Sequence, residues 1–171
     1  AGRTRDHPDC PRLAERLDLL RITPNTVLDL GCGPGPDLAP LAERYRKARL
    51  LALDVAWPMA AACPRRAPGP LGFRRPIHRV CADASDLPLA DGSIDFSWSN
   101  LLIPWIADPD ALFGEWARVL SDQGVVLFAG LGPDTLKELR EAWAEVDDGV
   151  HVHDFIDMHD IGDGLVRAGL R

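Results

Sequence analysis

The sequence predicts an α/β fold built on a doubly wound parallel sheet, and three observations carry that prediction. Short apolar runs of strand length alternate with longer stretches of helical periodicity, the pattern of parallel strands joined by covering helices. The first apolar run passes directly into a glycine cluster, Gly31, Gly33 and Gly35, and then into a helical segment. The next two runs close on acids, Asp54 and Asp83, at the strand ends where ligands of such sheets bind. With 171 residues, 46% of them apolar, the chain can bury one substantial core, so residues 1–171 are read as a single domain.

Leu13, Leu17 and Leu20 recur at helical spacing after Pro11 and predict an amphipathic helix ahead of the sheet. Thr26 to Leu30 reads as a strand buried on both faces, followed by a helix over roughly 36–46. A second strand spans Leu50 to Val55, with a helix near 58–63 behind it. The stretch from Pro64 to Pro76, dense in proline, glycine and arginine, reads as a connecting loop. Strands follow near 77–82 and 94–99, then a helix near 109–120, a fifth strand over Val125 to Ala129, and helices near 135–146 and 156–168. Right-handed crossovers between these elements give the strand order 3-2-1-4-5.

Composition narrows the function. A formal net charge of −7 argues against a phosphate backbone as the main partner, so no nucleic acid is expected. No run approaches the roughly 18 apolar residues of a membrane span, and the first residues are polar, so the reading expects no membrane and a cytoplasmic protein. Cys10, Cys32, Cys63 and Cys81 form no C-x-x-C pair and are read as buried free thiols. His151, His153 and His159 with nearby Asp157 and Asp160 offer enough ligands for a metal, but the two closest histidines would have to share one side of a strand or loop, and no metal is expected. The arginines of the 64–79 stretch belong to the amino edge of the sheet, away from the chemistry, and read as a solvated face.

A strand running into Gly31-x-Gly33-x-Gly35 lets a polar ligand approach backbone and helix N-terminus. A dinucleotide fingerprint would need glycine at position 36, which is Pro36. Asp54 can accept hydrogen bonds from both hydroxyls of a ribose. Asp83, in VCADASDLPL, can either meet a ligand or cap the turn before Leu87 and Pro88.

The run VLDLGCGPG, with VCADASDLPL and DGSIDFSWSN after it, resembles the class I S-adenosylmethionine-dependent methyltransferases. The resemblance implies a Rossmann-like sheet and S-adenosylmethionine as cofactor. It assigns Asp29, Gly31, Cys32, Gly33 and Gly35 to the cofactor turn, and Asp54, Val55 and Met59 to the ribose side. Asp83 and the Ala84 amide would hold the adenine, while Asn100 and Leu101 would lie where the cofactor's amino acid moiety meets the substrate. The family closes its sheet with a hairpin after the fifth strand, and this sequence stops at Gly169-Leu170-Arg171, so the reading expects a chain truncated before that hairpin.

The last third, GLGPDTLKELREAW and HVHDFIDMHDIGDGLVRAGL, is similar to the malonyl-acyl carrier protein O-methyltransferases of biotin synthesis. That resemblance implies a malonyl thioester on an acyl carrier protein as acceptor; Asn100, Trp105, Asp134 and Thr135, all near predicted strand ends, are the candidates for shaping its pocket. Lys137, Arg140 and Arg167 are the basic residues best placed for the carrier. A malonyl carboxyl is ionised at neutral pH, so no catalytic base is expected. The same stretch is also good helix chemistry, with Asp134 or Thr135 as cap and Leu136, Leu139 and Trp143 as a stripe. Another small-molecule or protein acceptor, or a non-catalytic assembly factor of the same fold, are the alternative readings.

Overall fold

The computed structural model describes residues 17, 19–69 and 73–171. Six strands form one sheet: β1 (Thr26–Leu30), β2 (Arg49–Asp54), β3 (Arg66–Pro68), β4 (Arg74–Cys81), β5 (Ile94–Asn100) and β6 (Leu120–Ala129). Between and after them lie α1 (Leu38–Arg44), α2 (Trp57–Ala62), a 3-10 turn (Ile103–Trp105), α3 (Pro109–Val119), α4 (Lys137–Ala144) and α5 (Met158–Arg167). The order across the sheet is β3-β4-β2-β1-β5-β6, with every pair parallel except β3 with β4. Leaving β3 aside, this is the predicted 3-2-1-4-5.

All five residues of β1 are buried, Val27, Leu28 and Leu30 together with the polar Thr26 and Asp29, so the strand shows no alternation of buried and exposed positions. Val27, Leu50, Ala52, Phe96 and Trp98 meet Leu38, Leu41 and Ala42 of α1 on one face. Leu28, Leu30, Leu51 and Leu53 meet Leu112, Phe113 and Trp116 of α3 on the other, where Trp116 Nε1 donates to Ser97 Oγ at 3.2 Å. Asp108 caps α3 by accepting from the Ala111 amide at 3.2 Å, with Pro109 in the first turn. α5 closes over α3: a Cβ on Gly164 would stand 2.7 Å from the Phe113 ring, and Arg167 pairs with Asp110 at 2.8 Å.

Several expectations need correction. The connector contains the edge strand β3, paired antiparallel with β4 through Ala67↔Arg75; proline is tolerated there because an edge strand has no partner on its outer side. The fifth strand begins at Leu120, not Val125. Gly124 and its polar neighbours lie within a strand whose register shifts between Ile94 and Phe96, and a Cβ at Gly124 would meet Ile94 O at 3.0 Å. The helix expected from residue 135 starts at Lys137, and neither Asp134 nor Thr135 caps it: Leu136 holds the N-cap position with φ +58°. Cys32 and Cys63 are buried as expected, whereas Cys81 is exposed; Cys10 and Leu13 lie outside the described residues. Among the described residues no helix is long and apolar enough to cross a membrane.

Candidate functional site

The turn after β1 is locked to the end of β2. The Gly31 and Cys32 amides both donate to Leu53 O, at 2.8 and 3.0 Å, and the Gly35 amide to Cys32 O at 2.9 Å. Those donors are spent, so the turn is less open a cradle than three glycines suggest. The Gly33 amide differs, since it donates to a side chain, Asp54 Oδ2, at 2.9 Å. The other oxygen of Asp54 accepts from the Ala56 amide at 2.9 Å. All three glycines have positive φ. A Cβ would strike Leu102 Cδ1 from Gly31 and Leu38 Cδ1 from Gly35, but from Gly33 it would enter open space, the direction from which a ligand can reach the turn.

Behind the turn lies a group of carboxylates. Asp29 is buried, with Oδ2 lacking a hydrogen-bond partner, and burial together with Asp37 and then Asp54 nearby raises its carboxyl well above the ordinary range. Asp37 opens α1 but caps nothing; it turns inward and accepts from Trp98 Nε1 at 2.9 Å and Asn100 Nδ2 at 3.2 Å. The Cys32 and Cys63 sulfurs lie 3.5 Å apart beneath the turn, the latter donating to Gly33 O at 3.2 Å, and burial pushes both thiols up, away from thiolate.

In front of the turn a cavity of about 210 Å³ is lined by Gly31, Leu53, Asp54, Val55, Ala82, Asp83, Ala84, Leu102, Trp105 and Ile106. It contains two acids and no basic residue. Asp83 shapes its own loop, accepting from the Ser85 amide at 2.8 Å, so the turn-capping reading of this residue describes real contacts. Trp105, expected on the acceptor side, stands 80% exposed at the rim together with the ribose and adenine candidates. Leu101 is held at φ +59° between β5 and the 3-10 turn, with its amide on Ala129 O at 3.0 Å. A non-glycine residue in that conformation is strained, as often happens where a chain turns into a site.

The remaining expected residues lie outside the lining. Met59 is exposed on α2, and the Cys32 side chain faces the core below. Asp134 is exposed and Thr135 half-buried in the segment after β6. Of the three basic candidates, Lys137 is exposed, Arg140 is turned back on Thr135 O at 3.3 Å, and Arg167 is paired with Asp110. Sequence reasoning missed Asp37, whose position before a helical run resembles a cap, and Leu102, which carries no polar signal.

Set against known proteins, residues 28–128 match a family model described as a methyltransferase domain. A protein of Laribacter hongkongensis named malonyl-[acyl-carrier protein] O-methyltransferase is 50% identical over 165 residues, covering 94% of this chain and 55% of its own length. One of the same name from a Methylovorus species is 50% identical over 161 residues, with 92% and 54% covered. The chain thus spans about half the length of these curated relatives. A crystal structure of an S-adenosylmethionine-dependent methyltransferase from Mesorhizobium loti superposes with a TM-score of 0.71 at 22% identity, covering 96% of this chain and 81% of that one, a likeness of fold.

Proposed function

Because the chain belongs to the methyltransferase domain family, we propose that its cavity takes S-adenosylmethionine and that the protein methylates the free carboxyl of a malonyl thioester carried on an acyl carrier protein, a step of biotin synthesis. The observation that carries the cofactor half is the charge of the site. Asp54 and Asp83 line the cavity, Asp29 and Asp37 lie behind the turn, and no basic residue lines it. Two acids and no base along the lining suit an adenosine whose tail bears a sulfonium and an ammonium beside its carboxylate, and oppose the pyrophosphate of a dinucleotide. The names of the relatives similar to this chain support the acceptor half.

In this reading Asp54 accepts from the ribose hydroxyls, giving up its bond to the Gly33 amide, and Asp83 with the Ala84 amide meets the adenine edge. Asn100, fixed by Asp37, borders the cofactor's amino acid tail. When bound, S-adenosylmethionine would supply its sulfonium methyl to the carboxylate oxygen, the O–C bond forming in line as the C–S bond breaks, to give a methyl ester and a thioether. No proton moves, so the chain's task is to orient the two reactants and exclude water, not to provide a base. The acidic lining also repels an anionic acceptor until the cationic cofactor is in place, which favours cofactor binding first.

The test is mass spectrometry of malonyl carrier protein incubated with the chain and S-adenosylmethionine. The reading expects a gain of one methylene unit on the malonyl group and none on acetyl carrier protein, which lacks a free carboxyl. Equal methylation of both, or methylation only of another acceptor, would retire the acceptor assignment.

A further inference from the structure

Glu115 and Arg118 lie on the last turns of α3, an i, i+3 pair that in sequence resembles an ordinary surface ion pair. Their contacts are directed elsewhere. The five guanidinium N–H groups of Arg118 face five acceptors: Nε meets Glu115 Oε1 at 2.7 Å, and Nη2 meets Glu115 Oε2 at 2.7 Å and Leu87 O at 2.9 Å. Nη1 meets Leu89 O and Asp91 Oδ1, both at 2.7 Å. Glu115 Oε2 also accepts from the Leu87 amide at 2.6 Å, and Arg118 O accepts from the Gly92 amide at 2.9 Å. The pair therefore grips the backbone of residues 87–92 by both donors and acceptors. At the other end of the same loop, the Ala82 amide donates to Asp54 O at 3.2 Å. Asp83 and Ala84, which line the cavity, hang between these two anchors.

We propose that Glu115 and Arg118 are positioning residues for recognition of the nucleobase: by clamping residues 87–92 they fix the loop whose Asp83 and Ala84 line the cavity. This rests on reading the cavity as the adenosine site. Arg118 has no donor left for a ligand, so its role is exerted through the loop. A planar fork satisfies carbonyls in two directions and a carboxylate at once, which an ammonium cannot do. Loss of the fork frees the loop, and the base then loses the fixed acceptor for its exocyclic amine while the ribose keeps Asp54.

The test compares two ligands by calorimetry: S-adenosylhomocysteine and S-inosylhomocysteine, in which a carbonyl oxygen replaces the exocyclic amine. The wild-type chain should prefer the adenine form by roughly tenfold or more, the effect of one hydrogen bond to a charged acceptor. In Arg118→Lys and Glu115→Gln that preference should fall to about threefold or less, mainly through weaker binding of the adenine form. In Asp91→Asn, which alters only the outermost contact, it should persist. A purely structural role would lower the melting temperature and weaken both ligands by one factor, leaving the preference intact, and that result overturns the proposal. Arg118→Lys and Glu115→Gln are two independent conservative variants, so if one fails to fold the other decides. If the wild-type chain binds neither ligand, the adenosine reading itself has failed. Wild-type discrimination that survives in both variants defeats the positioning role alone.

Discussion

The carboxyl edge of β1, β2 and β4 and the segment after β6 were both singled out in the sequence for function, and they are built in opposite ways. Around the glycine turn the chain is tied into the sheet: the Gly31, Cys32 and Gly33 amides are held at the end of β2 and Asp37 holds Trp98 and Asn100, while Asp29 Oδ2 and Ser99 Oγ are buried without a hydrogen-bond partner. After β6, α4 buries no residue, and Leu136, Leu139, Trp143 and Val146 remain exposed. Where a sheet imposes the geometry, the residues that a ligand needs are also residues that the fold needs. Along α4 the apolar stripe is present but largely exposed, with Trp143 stacked on His151 of the following segment at 4.1 Å between ring centroids, so fold and function are separable there.

Substitution should expose this contrast most strongly at Gly35. Its φ of +83° and the 2.6 Å approach of Leu38 Cδ1 leave no room for a methyl group, so Gly35→Ala should cost on the order of 3 kcal/mol, combining backbone strain with overpacking. Leu139→Ala on α4 should stay within about 0.5 kcal/mol. Urea unfolding of the two variants measures both, and comparable losses would erase the distinction between the regions.

The next effect is on binding. Asp54→Ala removes the acceptor assigned to the ribose and should weaken S-adenosylhomocysteine by roughly 10- to 150-fold, the range for charge-assisted hydrogen bonds. Asp134→Ala, outside the cavity, should leave that affinity within about twofold. Calorimetric titrations showing the reverse order would move the cofactor site to the segment after β6.

A smaller effect belongs to Asp29. Its carboxyl is raised by burial and then by Asp37 and Asp54, so the folded chain keeps a proton that the unfolded chain has lost. The sign follows: this group's contribution favours folding below the ordinary carboxyl pKa, about 4, and declines as pH rises from there through the raised folded value. Asp29→Asn should flatten that part of the stability profile and leave the cofactor-free protein more stable near neutrality. Denaturation midpoints measured across pH 4 to 8 test this, and an unchanged slope would mean that Asp29 does not titrate in this window.

Much of the fold was legible because periodicity and strand-end chemistry point the same way: five of the six strands and the convergence of Gly31, Asp54, Asp83 and Ala84 follow from it. What escaped did so for physical reasons. β3 hid behind Pro68, which local rules exclude from strands but an outer edge accommodates, and behind Pro76, which lies in β4 just ahead of the pairing with β2 that begins at Ile77. The N-cap of α4 was assigned to Asp134 or Thr135 by residue type, whereas Leu136 takes a left-handed conformation that no leucine advertises. Asp37 and the Glu115–Arg118 pair look in sequence like a cap and a surface ion pair. Only the fold shows that they turn toward Asn100 and toward the Asp83 loop.

The central claim is that this acid-lined cavity receives an adenosine cofactor that carries no phosphate, and titration of the wild-type chain with S-adenosylhomocysteine and with NADH in the same buffer tests it most directly. The account predicts saturable binding of the first at one site per chain and no detectable heat from the second, whose pyrophosphate meets Asp54 and Asp83 and no basic residue along the lining. Binding of NADH as tight as or tighter than that of S-adenosylhomocysteine would contradict it.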